Sequence, residues 1–438
     1  MKKNILIIYG SKSTEHDISI LSALQFYSAI DKEKYSVILI YIDHNGTWFV
    51  GEKLANIKSY SKFNATKLKL KEVAILPSSD FLYLKKISGF KKYKKIDCAV
   101  LSLHGKNGED GTIQGLLELA GIPYTSSSVL GSAVGLDKSA MKQIFAYNKV
   151  PITKYIEISK SEFLDKNFKV EKIAKKIKYP VVVKPNSLGS SIGISCVNSN
   201  EELLDAINLA FMFDQKVIIE AMVENLKEVN ISVLGSGKNN LVSITEEVQN
   251  KNGLLSFEKK YLVQHNTKTA KNSKKEEKIV KINKKSTKRC KKANCKVNTE
   301  TNIECKKAAI KKDISIEDQT PIKNGMQNLD RIMPANIAKE QIQEIETLAK
   351  KIFEITNSKG VVRIDFMIDQ KLGKVYANEI NTIPGSFAFY LWEKSGISFD
   401  KLADKLISIA ISENEEKNKL LSIFNSSVLS QESFDIKK

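Results

Sequence analysis

The chain predicts an α/β fold: an N-terminal domain built on a parallel sheet, then a block of mixed sheet and helices interrupted by a basic insertion. Apolar runs at residues 4–9, 35–42 and 98–103 show no alternation, as strands buried on both faces do. A helical segment at 17–29 lies between the first two, the strand–helix–strand order of a parallel sheet. Later apolar runs at 181–184, 193–197, 217–220 and 229–235 are interleaved with helices in a less regular order.

Bulk properties narrow the function classes. A chain of 438 residues has room for two or three domains. Its 42% hydrophobic and 27% charged content is that of a soluble globular protein. The net charge of +19 is unusual, but residues 263–330 hold 18 Lys/Arg against 8 Asp/Glu, so about half the excess sits in one segment. That segment is poor in aromatics and aperiodic. It cannot bury enough apolar surface to offset chain entropy, so a disordered insertion is expected at about 265–329. Elsewhere lysine outnumbers arginine, the residue suited to bidentate phosphate and base contacts, so no nucleic-acid partner is expected. Cys98, Cys196, Cys290, Cys295 and Cys305 are odd in number and irregular in spacing, which gives no disulfide framework. The last three lack a fourth ligand for tetrahedral zinc. The N-terminal apolar run is too short for a signal segment, and none approaches the ~20 residues of a membrane span. A cytoplasmic protein without membrane insertion is expected.

Taken in order, residues 4–9 form the first strand, and the polar segment 11–15 falls at its carboxyl end, where open α/β sheets bind ligands. Segment 104–111 holds the same position after the third run. The small residues 126–132 predict a linker, and 137–147 a helix. Strand 181–184 pairs with 193–197 as a hairpin, and apolar spacing makes 201–211 a helix. After the insertion, order resumes at 332–335. Residues 339–356 form an amphipathic helix, two acid-bearing strands follow, 398–412 is the last helix, and the tail is peripheral.

Chemistry concentrates in three segments. Lys184 ends a strand and offers a point charge for phosphate. Gly189, Ser190, Ser191 and Gly193 follow and let backbone N–H groups approach anionic oxygens. The loop is not a P-loop, and alone it is equally a ligand-free Gly/Ser turn. Arg363 and Asp365 lie two apart on one strand, so they share a face, and Glu379 and Asn381 do likewise. If the strands pair, Asp365, Glu379 and Asn381 form a cluster of hard oxygens suited to Mg²⁺ and polyphosphate. A plain ion pair of Arg363 with Asp365 or Glu379 is the alternative.

These segments, with Glu15-His16-Asp17-Ile18-Ser19, Leu103-His104-Gly105-Lys106-Asn107-Gly108-Glu109-Asp110-Gly111, Gln114-Gly115-Leu116-Leu117-Glu118, Gly121-Ile122-Pro123-Tyr124-Thr125 and Lys260-Tyr261, resemble the D-alanine–D-alanine ligases of the ATP-grasp superfamily. The likeness covers residues 1–262 and 332–412. It implies an N-terminal pre-ATP-grasp substrate domain (1–128), a two-lobed ATP-grasp unit (129–222 and 223–414) and a tail (415–438). By the same resemblance, Glu15 takes the amino group of the first D-alanine and forms a hydrogen-bonded triad with Ser190 and Tyr261. His104 lies on the substrate side. Lys138, Lys184 and Lys260 meet the ATP phosphates, with Ser190, Ser191 and Asn378 nearby, and Glu220 and Glu228 lie near adenine and ribose. Arg363 and backbone N–H groups near Gly385 stabilise the oxyanion. Asp365, Glu379 and Asn381 hold two magnesium ions, or manganese in their place. The implied activity is ATP-dependent ligation of D-alanine through an acyl phosphate, for cell-wall precursor synthesis, in a homodimer.

Two departures stand out. The insertion begins directly after Tyr261: it either loops outward, leaving catalysis intact, or binds an anionic partner. Aromatics at 386–392, Tyr390 among them, replace the Thr/Ser-rich segment that in many family members helps hold the second substrate's carboxylate. Tyr390 is therefore a candidate substrate contact, and D-serine or D-lactate an alternative acceptor. A non-catalytic basic nucleotide-binding protein is the alternative from another class.

Overall fold

The computed structural model describes residues 2–248 and 331–420. Lys260, Tyr261, the expected insertion with its three cysteines, and residues 421–438 lie outside the described residues.

The first sheet contains β1 (Lys3–Gly10), β2 (Tyr35–Ile42), β3 (Trp48–Val50), β4 (Lys71–Ile75), β5 (Phe81–Lys86), β6 (Gly89–Lys95) and β7 (Cys98–Ser102). Its order is β6-β5-β4-β3-β2-β1-β7. Only the centre is parallel: β1 pairs in parallel with β2 and β7. The next four strands add on antiparallel, so the parallel sheet expected from the sequence is the centre of a larger mixed one. The missed strands are short or lysine-rich, and β6 is exposed along its length, so they show no buried run. Alternation along β1 explains the two cores. Ile5, Ile7 and Tyr9 pack with Phe26 of α1 (His16–Ala29), while Leu6 and Ile8 pack with Leu117 of α2 (Thr112–Ala120).

Residues 126–132 are not a simple linker. Ser128 caps α3 (Val129–Leu136), accepting a hydrogen bond from the Gly131 N–H. The glycines serve close packing: a Cβ on Gly131 would lie 2.7 Å from the Asn357 carbonyl oxygen, and one on Gly135 would lie 2.5 Å from Thr382 Cγ2. Asp137 then caps α4 (Lys138–Tyr147).

A second, antiparallel sheet has the order β10-β9-β11-β8, from β8 (Tyr155–Ser159), β9 (Val181–Pro185), β10 (Ser195–Val197) and β11 (Lys216–Ala221). Two short helices, α5 (Lys160–Leu164) and α6 (Glu171–Lys176), precede β9. Leu203 and Ile207 of α7 (Asn200–Ala210) share a core with Val183 and Ile219.

The third sheet carries β12 (Leu226–Ser236), β13 (Asn239–Val242), β14 (Glu246–Val248), β15 (Arg331–Ile332), β16 (Lys359–Asp369) and β17 (Lys374–Asn381). Its main path is β15-β14-β12-β16-β17. Ile345, Ile352 and Phe353 of α8 (Lys339–Ile355) pack on Ile231, Val233, Val362 and Ile364. After β17 come α9 (Phe389–Lys394) and α10 (Phe399–Asn418), the latter longer than the expected 398–412. Trp392 of α9 and Leu402 and Leu406 of α10 join the β1–α1 core, and the Trp392 indole N–H donates to Ser232 Oγ at 2.9 Å. These contacts join the third sheet to the first.

Candidate active site

Two clefts meet where the three sheets converge. One is lined by Lys138, Lys184, Ser191 and Glu220. The other is lined by Glu15, His104, Arg363, Asp365, Asn381, Gly385 and Tyr390. Ser190, Glu228, Asn378 and Glu379 line both. Apart from Gly193, every site residue predicted from sequence and described in the structure therefore borders one cleft or the other.

Lys184 leaves β9 with its Nζ 3.3 Å from Glu220 Oε1 and 3.4 Å from Asn378 Oδ1. Lys138, at the start of α4, donates to the Leu188 carbonyl at 2.8 Å and lies 3.6 Å from Glu379 Oε2. Two cations thus flank the 188–193 loop. In that loop Ser190 and Ser191 have φ of +56° and +59°. The turn carries the Ser190 hydroxyl to Glu15 Oε1, to which it donates. Two members of the implied triad are therefore in contact.

Glu220 is buried, and its carboxylate faces cations. Burial opposes its ionisation, but Lys184, Lys142 and the Thr153 hydroxyl outweigh that and hold its carboxyl down to about 2. Lys142 Nζ is 3.2 Å away, and Thr153 donates at 2.9 Å. Burial lowers the Lys184 ammonium, yet Glu220 and Glu379 prevail, so it is raised above the ordinary lysine value.

Strand pairing builds the oxygen cluster. Asp365 is opposite Glu379, and Arg363 opposite Asn381. The ion pair left open by the sequence is also present: Arg363 Nε and Nη2 donate to Asp365 Oδ1 and Oδ2 at 2.7 and 2.8 Å. It is not a surface pair, since the two side chains are 12% and 14% exposed. Asn381 Nδ2 donates to Asp365 Oδ2 at 3.2 Å. Asp365 Oδ2 thus accepts two bonds, whereas Oδ1 accepts one from Arg363 and keeps a second lone pair, so the fork and cation ligation through Oδ1 are compatible.

His104 is committed to the protein on both ring nitrogens. Nδ1 is 2.9 Å from the Ile383 carbonyl oxygen and Nε2 is 3.1 Å from Ser22 Oγ. Ser22 Oγ accepts from the Ser386 N–H at 2.9 Å. The imidazole thus pins the turn that carries Gly385, with Nδ1 as the protonated nitrogen. Burial, opposed by the Ile383 bond and aided by Arg363, pulls the ring down to about 4, so it is neutral near pH 7.

Several residues escaped the sequence reading. Lys142 lies one turn after Lys138, a spacing that was available. Glu109 lies within the 103–111 segment. Its carboxylate accepts from the Gly105 and Ile383 N–H groups, and burial together with nearby Glu15 pushes it up to about 8. Glu246 and Arg331 carry no local signal, and only the tertiary pairing of β14 with β15 brings them together. Tyr390 donates to Glu246 Oε2 at 3.1 Å, and the Arg331 guanidinium lies 4.1 Å from the Tyr390 ring centroid.

A family model described as D-ala D-ala ligase N-terminus matches residues 4–127, and one described as D-ala D-ala ligase C-terminus matches 144–307 and 289–408. The D-alanine–D-alanine ligase of Thermosipho melanesiensis is 34% identical over 423 residues, covering 96% of each chain. Among solved structures, the VanG D-Ala:D-Ser ligase of Enterococcus faecalis superposes with a TM-score of 0.68 at 26% identity, covering 94% of this chain and all of its own. The D-alanine–D-alanine ligase of Coxiella burnetii gives a TM-score of 0.69 at 22% identity, covering 95% and 96%, and so speaks to the fold. With both family models matched in order and the relative covered over 96% of its length, the chain belongs to the D-alanine–D-alanine ligase family.

Proposed function

We propose that the chain joins two D-alanines at the expense of ATP, forming D-alanyl-D-alanine for peptidoglycan precursors. The observation that carries this is the meeting of a lysine-lined cleft with an acid-lined one at Ser190, Asn378 and Glu379. A carboxylate and a triphosphate are both anions, and their reaction needs cations at one boundary. Lys138 and Lys184 supply them, and Ser191 and Glu228 line the same cleft. Asp365, Glu379 and Asn381 offer two carboxylates and an amide, a donor set that fits Mg²⁺ or Mn²⁺. A bound metal would neutralise phosphate charge there.

Glu15, held by Ser190, receives the ammonium of the first D-alanine. Its carboxylate is thereby directed towards the junction, where phosphorylation makes an acyl phosphate. The amine of the second D-alanine, having lost a proton, attacks that carbonyl, and the C–O bond to phosphate breaks as inorganic phosphate leaves. Arg363 keeps its Nη1 outside the Asp365 fork as a donor to the oxyanion, beside the Gly385 turn pinned by His104. Lys260 and Tyr261 complete the site from outside the described residues. Residues 1–128, 129–222 and 223–414 act as the substrate domain and the two ATP-grasp lobes of a cytoplasmic homodimer binding two metal ions.

The test is phosphate release from ATP with D-alanine, D-serine and D-lactate, singly and mixed, with products identified by mass spectrometry. D-alanine-dependent release with the D-alanine dipeptide as main product supports the reading. A mixed D-alanyl-D-serine or D-alanyl-D-lactate product moves the acceptor assignment to the Tyr390 end of the cleft. Nucleotide binding without release for any D-amino acid would identify a non-catalytic binding protein.

A further inference from the structure

Lys142 is a lysine with no exposed surface, and it borders neither cleft. Lysines are rarely buried completely unless paired. Its Nζ lies 3.2 Å from Glu220 Oε2 and donates to Thr153 Oγ1 at 3.4 Å. The other Glu220 oxygen, Oε1, is 3.3 Å from Lys184 Nζ. One buried carboxylate is thus gripped from opposite sides, by Lys142 from the core and by Lys184 from the nucleotide cleft.

Charge accounting assigns the core lysine a purpose. With Lys184 alone, the Glu220–Lys184 pair would be neutral. Turning Lys184 towards an anion would then strip a buried carboxylate of its counter-charge, which is strongly unfavourable. Burial lowers the Lys142 ammonium while the facing Glu220 carboxylate opposes that fall; in its protonated form Lys142 gives the group one net positive charge. Glu220 then keeps a cationic partner and the Thr153 hydroxyl when Lys184 turns to an incoming phosphate.

We propose that Lys142 is a positioning residue for nucleotide binding: it compensates Glu220 from behind and so leaves the charge of Lys184 available to the triphosphate. This rests on the reading of Lys184 as a phosphate ligand. Lys142 itself touches neither ATP nor D-alanine. Its effect belongs in ATP affinity rather than in the chemical step.

The experiment compares wild type, Lys142→Met, Glu220→Gln and the double variant. It reads ATP KM and kcat in the ligation assay, ATP binding by calorimetry, and melting temperature. Lys142→Met is expected to raise ATP KM about tenfold or more with kcat within threefold, because Lys184 stays clamped to Glu220. Adding Glu220→Gln removes the clamp and is expected to recover most of that loss. A purely structural lysine would lower the melting temperature without this recovery. Where Lys142→Met does not fold, Glu220→Gln and the double variant carry the test. With the carboxylate neutral, Lys142 has nothing to compensate, and their ATP KM values agree within twofold. Folded Lys142→Met with wild-type ATP KM, no recovery in the double variant, or a tenfold gap between the two Glu220→Gln proteins overturns the proposal. Wild type that ligates D-alanine while Lys184→Met keeps full ATP affinity overturns the phosphate role of Lys184, and this proposal with it. Ligation with Lys184 essential and Lys142 dispensable overturns this proposal alone.

Discussion

Replacing Arg363 by methionine separates an electrostatic role in catalysis from a role in holding the fold. In the structure the guanidinium makes two bonds to Asp365, at 2.7 and 2.8 Å, with both side chains largely buried. Methionine fills much of the volume but leaves Asp365 with only the 3.2 Å bond from Asn381 among these contacts. Breaking a buried pair from one side costs about 3–5 kcal/mol. The remaining Asn381 bond and the cleft beside Asp365 place this case at the low end, about 3 kcal/mol. Losing an oxyanion donor lowers kcat by a further factor of about 10²–10³. Urea unfolding reads the first quantity and ADP release with saturating D-alanine reads the second. Converting Asp365 to asparagine in the same protein removes the stranded charge, so Arg363→Met/Asp365→Asn regains most of the stability and none of the activity. Single-variant kcat within threefold of wild type, or activity returning with stability in the double variant, would refute the assignment of Arg363 to the reacting oxyanion.

Other consequences follow from the same geometry. The buried His104 ring is lowered to about 4 from an ordinary value near 6.5, so the unfolded chain binds the proton first. Its contribution is therefore full above pH 6.5 and is lost as pH falls through 4, a difference of about 3 kcal/mol; His104→Asn should flatten urea-derived stability between pH 4 and 6.5, and an unchanged slope would count against a neutral buried imidazole. Gly135→Ala places a methyl 2.5 Å from Thr382 Cγ2, beside Asn381. Overpacking of this kind costs about 1–3 kcal/mol, and here it should also raise the Mg²⁺ concentration needed for half-maximal rate; loss of stability with unaltered Mg²⁺ dependence would dissociate the turn from the metal donors. Deleting residues 272–322 should leave D-alanine ligation within a few-fold of wild type, because loop-closure entropy grows only logarithmically with length. Lost activity in a folded deletion variant would assign the insertion a part in catalysis.

Much of the site was readable from local spacing. Strand periodicity put Arg363 with Asp365 and Glu379 with Asn381 before any tertiary contact was known, because residues two apart on a strand share a face. The 184–193 segment announced its turn through small residues, and Ser190 and Ser191 do adopt positive φ. The outer strands of the first sheet were not legible: lysines in β5 and β6 break the apolar pattern, and hydrogen bonding to neighbours makes them strands. The 126–132 stretch misled for a related reason. Small residues mean flexibility in a linker and close approach in a packed helix, and only the neighbouring Asn357 and Thr382 distinguish the two.

By itself the amino-acid sequence determined the chemical inventory: which strands carry acids, which loop can approach phosphate, and in what order along the chain. Tertiary structure alone decided the pairing of charges. Glu220 sits between Lys142 and Lys184, His104 reaches across to the Ile383–Ser386 turn, and Tyr390 meets Glu246 and Arg331. Spacing within an element follows from backbone geometry. Contacts between elements depend on how three sheets pack, and no local pattern encodes that.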